Sequence, residues 1–337
     1  MHFHIGKFGG GCLRSAKDVV RLFEVLGILN INIVVVSAFG GITNLLERIV
    51  EEKSLALFLH EFIYFHEVIA KELGLEDSLQ SYFALQTKKF EGLFSQLCNI
   101  EKDPNSFPEI YAEIVAMGED FSQKIVLEYV RSVAPKRVNV LRLDSRKIVS
   151  VLPSPLVGAV IDQELSVALI NDQIEATKQP FIVVVQGLVA GAYLPTNPKT
   201  ALLERDGGDV TAALIAASLT TESSQARLTY VKSFMEKALS TDKDSDNDSL
   251  AIQIFKRRKK TKWKEGDVLK GQIGIRDFAR CMKETGRIVV SLKVLKIKGT
   301  PTYFQVVDFW RTDVTLTVAL EPVIVRMLLD QLDADPT

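Results

Sequence analysis

Four short clusters in this sequence carry residue types suited to gripping a small charged molecule. Lys7-Phe8-Gly9-Gly10-Gly11 lies between a strand-like and a helix-like stretch. Glycines let the backbone approach phosphate oxygens, a helix N-terminus presents unpaired N–H groups, and a lysine can neutralise charge on a transferring phosphoryl group. The order Gly-x-x-x-x-Gly-Lys-Ser/Thr is absent, so this is not a Walker A loop, and its plainer use is a strand-to-helix turn that needs glycine. Ser37-Ala38-Phe39-Gly40-Gly41-Ile42-Thr43-Asn44 closes the next strand, at the edge where open α/β sheets bind ligands, although Thr43 would also serve as a helix N-cap. Met117-Gly118-Glu119-Asp120-Phe121-Ser122 sets a glutamate beside a glycine in a helical stretch, where it holds a substrate amine or faces solvent. Glu204-Arg205-Asp206-Gly207-Gly208-Asp209 offers an arginine able to grip a carboxylate bidentately and an aspartate that caps a helix or binds an ammonium group.

The elements that must position these clusters follow from the hydrophobic pattern. His2-Phe3-His4-Ile5-Gly6 alternates and reads as a short strand ending in the glycine turn. Ser15 is placed to cap a helix whose apolar positions Val19, Val20, Leu22, Phe23, Val25 and Leu26 keep helical spacing. Ile31 to Val36 is a β-branched run typical of a strand buried on both faces, and a helix follows from about Thr43. Strand, glycine loop and helix, repeated, argue for a parallel sheet with crossover helices. Helical patterning covers about Ser54 to Phe94 and Phe107 to Arg131, and Val138 to Leu143 and Phe181 to Gln186 are the next strands. A loop rich in Gly, Pro, Asn and Thr then leads to a helix of small residues, Thr211 to Leu219.

The chain has 337 residues, 47% hydrophobic and 25% charged, with a formal net charge of -1. That suffices for two domains and a sizeable core, and gives no reason to expect nucleic acid or a membrane as partner. No apolar run reaches the roughly 18 residues that span a bilayer, and no signal-peptide pattern opens the sequence. Cys12, Cys98 and Cys281 lie far apart, as free thiols of a reducing compartment would, so a cytoplasmic protein is expected. His2 and His4, flanking Phe3, offer either a pair of ligands or a strand face at a sheet edge, the second being the plainer reading. His60 and His66 lack the spacing of one helical metal face, and no metal-ligating residue is assigned.

After Leu219 the character changes. Ser240 to Ser249 has the composition of a flexible linker. The basic run 256–264, around Trp263, has charges for nucleic acid but reads as a solvated linker or strand edge. From Val268 onward strand and helix patterns return as a small separate module. The expected division is 1–235, a polar and basic linker 236–265, and the module 266–337.

Taken in order, Lys7-Phe8-Gly9-Gly10, Val36-Ser37-Ala38, Gly41 to Leu46, Gly118-Glu119 with Ser122, Leu143-Asp144 with Arg146, Gln186-Gly187, and Arg205 with Gly207 and Asp209 to Ala213 resemble the aspartate kinase succession over about residues 1 to 220. The resemblance implies an α/β fold of the amino-acid (carbamate) kinase type, an open, mostly parallel sheet with flanking helices. It also suggests that the C-terminal α/β module, through Gly274-Ile275-Arg276-Asp277-Phe278, is ACT-like. The implied activity is transfer of the ATP γ-phosphate to the β-carboxylate of L-aspartate, at the head of lysine, threonine and methionine biosynthesis, with ATP and Mg²⁺ and usually as a homo-oligomer. Lys7 and Asp209 would be catalytic. Lys7, Gly9, Gly10 and Gly207 would lie along the nucleotide, and Ser37, Thr43, Glu119, Arg205 and Asp209 would hold the aspartate. Phosphoryl transfer asks little covalent chemistry of the protein, so positioning and electrostatics would be the mechanism.

The sequence also departs from that pattern. Gly11 and Cys12 stand where the family has Thr or Ala, then Ser. Gly208 replaces a serine, and Glu204 adds a negative charge. The family's Asp-x-x-Gly-x-x-x-x-Asp-Pro-Arg and Gly-Ala-Lys-x-x-His-Pro segments are not found after Leu219, and Leu228 to Phe234 resembles the last strand of the kinase domain. The alternatives are a catalytically impaired regulatory or substrate-binding relative and a kinase for another small acid. A Lys7→Ala change is expected to abolish activity with little effect on folding.

Overall fold

A computed structural model of the chain describes residues 2–152, 155–175, 177, 180–192, 198–204, 207–220, 225–231, 233–235, 289–295, 303–310 and 315–317. The strands are β1 His2–Phe8, β2 Ile33–Val36, β3 Asn139–Leu143, β4 Ser150–Val151, β5 Phe181–Gln186, β6 Val189–Ala192, β7 Lys199–Leu202, β8 Gln225–Val231, β9 Ser233–Met235, β10 Val289–Leu295, β11 Tyr303–Trp310 and β12 Thr315–Thr317. The helices are α1 Ala16–Leu29, α2 Ile42–Glu52, the short α3 Leu55–Leu57, α4 Tyr64–Glu72, α5 Glu76–Cys98, α6 Phe107–Val133, α7 Gln163–Glu175 and α8 Gly207–Ser218.

The main sheet runs β11-β10-β8-β1-β2-β5-β3. β8, β1, β2, β5 and β3 are mutually parallel, and β10 and β11 continue the sheet antiparallel beyond β8. The parallel sheet with crossover helices is thus as expected. β2 is buried along its whole length, which its four β-branched residues suit. Ser15 caps α1, its hydroxyl accepting from the Asp18 amide.

Several local expectations need correction. β1 reaches Phe8 and is buried at every residue after His2, so it does not alternate. It lies inside the sheet, and His4 is therefore no edge residue. Its imidazole contacts the Leu29 carbonyl at 2.7 Å and the Thr229 hydroxyl at 2.8 Å. The helical stretch after Ser54 is interrupted by one π-helical turn, Phe58–Ile63, before α4. Its Phe58 and Phe62 join Phe90 and Phe121 in a fully buried aromatic core with His66. The region after Gly187, expected as loop, holds the hairpin β6–β7, which with β4 forms a second sheet in the order β4-β6-β7. Helix α7 had no expectation.

The linker 236–265, the basic run, Cys281 and the Gly274 to Phe278 turn lie outside the described residues. Cys12 and Cys98 are free thiols. Among the described residues no helix is long and apolar enough to cross a membrane.

Candidate active site

The register sets Phe8 beside Val36 and Val36 beside Gln186. The segments leaving β1, β2 and β5 therefore meet at one carboxyl edge, where they border a cleft of about 1010 Å³. The loops after β1 and β2 form one wall and touch backbone to backbone. The Gly40 amide donates to the Leu13 carbonyl at 2.7 Å, and a Cβ at Gly40 would fall 2.7 Å from the Gly10 carbonyl oxygen. Gly41, at φ 89°, is the N-cap of α2, so Thr43 is not the cap and instead lines the cleft from the first turn.

Lys7, Gly9, Gly10, Ser37, Glu119 and Gly207 line the same cleft. Lys7 is buried, and its ammonium pairs with the carboxylate of Asp209. Asp209 lies within the first turn of α8, not ahead of it. Gly208 presses against both sides of this pair's surroundings: a Cβ there would stand 3.3 Å from Lys7 Cε and 3.2 Å from Ser37 Oγ. The structure so brings together every site residue expected from the sequence except Arg205, which lies outside the described residues.

Glu119 is in the middle of α6 and almost fully buried, so it is no solvated face. Its Oε1 accepts from the Ala38 amide at 3.3 Å, joining α6 to the loop after β2. Its Oε2 is buried without a hydrogen-bond partner. Burial pushes this carboxyl up to about 8, with the Ala38 amide acting against the shift. A buried acid with one unused oxygen in a polar cleft is suited to receive a cationic group.

Sequence reasoning gave no role to the polar network that braces this wall. The Arg146 guanidinium grips Asp120 with both terminal nitrogens, at 2.9 and 2.7 Å, and donates through Nε to the Thr200 hydroxyl at 2.8 Å. The Gln186 amide donates to Asp144 at 2.7 Å. Asp144, Arg146 and Gln186 stood in the motif succession, but residue type alone did not tell bracing from ligand contact. Asn44, which stood in the motif succession without a role, also lines the cleft, as do Arg14, Glu47 and Tyr111, which nothing in the sequence had marked.

Residues 4–225 match the amino acid kinase family. This chain belongs to that family. Within the amino acid kinase family it is 31% identical over 213 residues to an aspartokinase of Chlamydia trachomatis and 26% identical over 214 residues to an aspartokinase of Chlamydia muridarum. Each match covers 62% of this chain and 44% of the relative, so the chain spans less than half the length of these aspartokinases. Among solved structures, E. coli aspartokinase III in complex with aspartate and ADP is similar with a TM-score of 0.59 at 15% identity, covering 97% of this chain and 83% of that one. Clostridium acetobutylicum aspartate kinase is similar with a TM-score of 0.50 at 16% identity, covering 66% and 47%. At these identities the structural likeness concerns the fold.

Proposed function

We propose that this amino acid kinase family member is an aspartate kinase, transferring the γ-phosphate of ATP to the β-carboxylate of L-aspartate. The carrying observation is the convergence of the buried Lys7–Asp209 pair with Ser37 and the unused Glu119 oxygen in one cleft. In this reading Lys7 stabilises negative charge on the transferring phosphoryl group, and Asp209 holds the ammonium in place. Glu119 takes the α-ammonium of aspartate, and docking of that cation draws the proton off its carboxyl. Ser37, Thr43 and Arg205 hold the carboxylates, and Gly9, Gly10 and Gly207 let phosphate oxygens lie against the backbone.

Mg²⁺ enters as the companion of the nucleotide. The described residues gather no cluster of three or more carboxylate, imidazole or thiol groups, so no protein ligand set is assigned and no step depends on one. Lysine and threonine biosynthesis, a cytoplasmic setting, homo-oligomers and the division at 235 and 265, with the last segment joined to the kinase sheet through β10, belong to the same proposal.

α8 ends at Ser218 and β8 begins at Gln225, which leaves a short connection where the family carries nucleotide-site segments. Nucleotide binding is therefore the part to test. Coupled ADP release with L-aspartate and Mg-ATP, beside calorimetric titration of ATP alone, is expected to show turnover and saturable binding. No heat at millimolar ATP would sink the kinase reading, and retained aspartate binding would then favour a substrate-binding relative.

A further inference from the structure

Arg14 lines the cleft where the β1–α1 loop enters α1, and its side chain is exposed. Its stem lies along Gly40: a Cβ on that glycine would stand 3.1 Å from Arg14 Cγ and 3.5 Å from Nε. The acid nearest in sequence does not neutralise it. Asp18 Oδ2 accepts from the Arg14 backbone amide at 2.9 Å and from the Ser15 hydroxyl at 3.1 Å, fixing the loop and leaving the guanidinium unpaired among the described residues.

The charges around it show what this cation is for. Lys7 is matched by Asp209, while Glu47 and Glu204 add negative charge to the rim. Among the described residues of the cleft, Arg14 is the cation left over for an anion. The loop itself offers no other side-chain donor toward the cleft. Gly9 to Gly11 have no side chains, and the buried Cys12 thiol donates to the carbonyls of Gly9 and Val231, at 3.0 and 3.2 Å. A guanidinium supplies a planar fork of donors that fits phosphate oxygens, with a permanent charge.

We propose that Arg14 is a phosphate-binding residue of this cleft and grips the phosphate tail of the nucleotide from the β1–α1 loop. This rests on the phosphoryl-transfer reading above. It assigns a binding role to a side chain outside the motif succession and places it on the nucleotide side, not the aspartate side.

The test is calorimetric titration of the full chain and its R14A and R14K variants with sodium tripolyphosphate, ADP and L-aspartate, each variant checked by thermal melting. R14A is expected to weaken tripolyphosphate and ADP by roughly 10- to 100-fold, the range for a lost charged hydrogen bond. R14K should recover part of that loss, and L-aspartate affinity should stay unchanged. Unchanged tripolyphosphate and ADP affinity in R14A would overturn this proposal alone. A loss confined to L-aspartate would overturn it in favour of carboxylate recognition. A wild-type chain that binds neither tripolyphosphate nor ADP would overturn the phosphoryl-transfer reading together with it. Because the side chain is exposed, the melting temperatures should coincide. If R14A nevertheless misfolds, R14Q carries the same comparison.

Discussion

The ammonium of Lys7, one residue before the end of β1, is paired with the carboxylate of Asp209 in the first turn of α8, with side chains 3% and 0% exposed. Truncating either partner leaves a buried charge alone, which costs about 3–5 kcal/mol. Lys7→Ala should therefore lose activity and also stability, against the expectation of a benign change. The double variant Lys7→Met with Asp209→Leu should recover most of the stability and none of the activity. Urea unfolding of both variants beside the wild type checks this, and a Lys7→Ala midpoint equal to wild type would show that the pair is not buried in solution.

Glu119 should make the fold less stable as pH rises. Its carboxyl is raised from 4.5 to about 8 by burial, so the folded state holds a proton that the unfolded chain has released. Stability from this group is fully present below about 4.5 and is lost as pH climbs through 8. Glu119→Gln should flatten that decline in melting temperature. Binding of L-aspartate near pH 7 should release up to one proton, visible as buffer-dependent heats and absent in Glu119→Gln.

His66 should act in the opposite sense. Burial lowers its imidazole from 6.5 to about 4, although its hydrogen bond to the Phe62 carbonyl favours the proton. Its contribution is intact above 6.5 and is lost as pH falls toward 4. Its ring lies 5.6 Å from that of Phe39 in the β2 loop and 4.8 Å from that of Phe121 on α6. His66→Phe should reduce acid sensitivity between pH 6.5 and 4, measured by melting temperature across that window.

Gly40→Ala should push the two glycine loops apart, because the added methyl would fall 2.7 Å from the Gly10 carbonyl oxygen, which is backbone and cannot swing aside as the Arg14 stem can. Overpacking of this kind costs about 1–3 kcal/mol. A lowered melting temperature with weakened ligand binding is expected, and an unchanged affinity would separate this wall from the site.

Arg146→Met should cost about 1.5–3 kcal/mol by removing the two charged hydrogen bonds to Asp120, which then keeps only the Arg142 guanidinium at 3.9 Å and the Gln186 amide at 3.3 Å. Denaturant unfolding reads that loss directly. The pairing braces α6 against the loop after β3, so the Ala38–Glu119 bond should loosen with it.

The parallel sheet was legible because β2 and β5 are runs of buried β-branched residues and each glycine loop follows a strand. The Lys7, Ser37 and Glu119 clusters were legible by residue type and order. The β6–β7 hairpin was not, since Val189 to Ala192 is too short and small-residued to announce a strand beside a Gly- and Pro-rich stretch. The depth of Glu119 was hidden as well. Its burial is set by packing of α6 on the β2 loop and on α2, which no local pattern encodes. Arg14 was passed over because its meaning lies in which acids fail to reach it.

β1 pairs with β8, and Lys7 with α8, so the centre of the sheet and its key ion pair join the two ends of the matched span. During synthesis β1 leaves the ribosome long before its inner neighbour exists. Until residues 225–231 are made, one edge of β1 has no strand beside it, and until residue 209 is made the lysine has no acid. Closing so large a loop is slow, because its entropy must be lost before any contact forms. The edge of β1 that receives β8 therefore stays open through most of the chain's synthesis, and its closure comes late in folding.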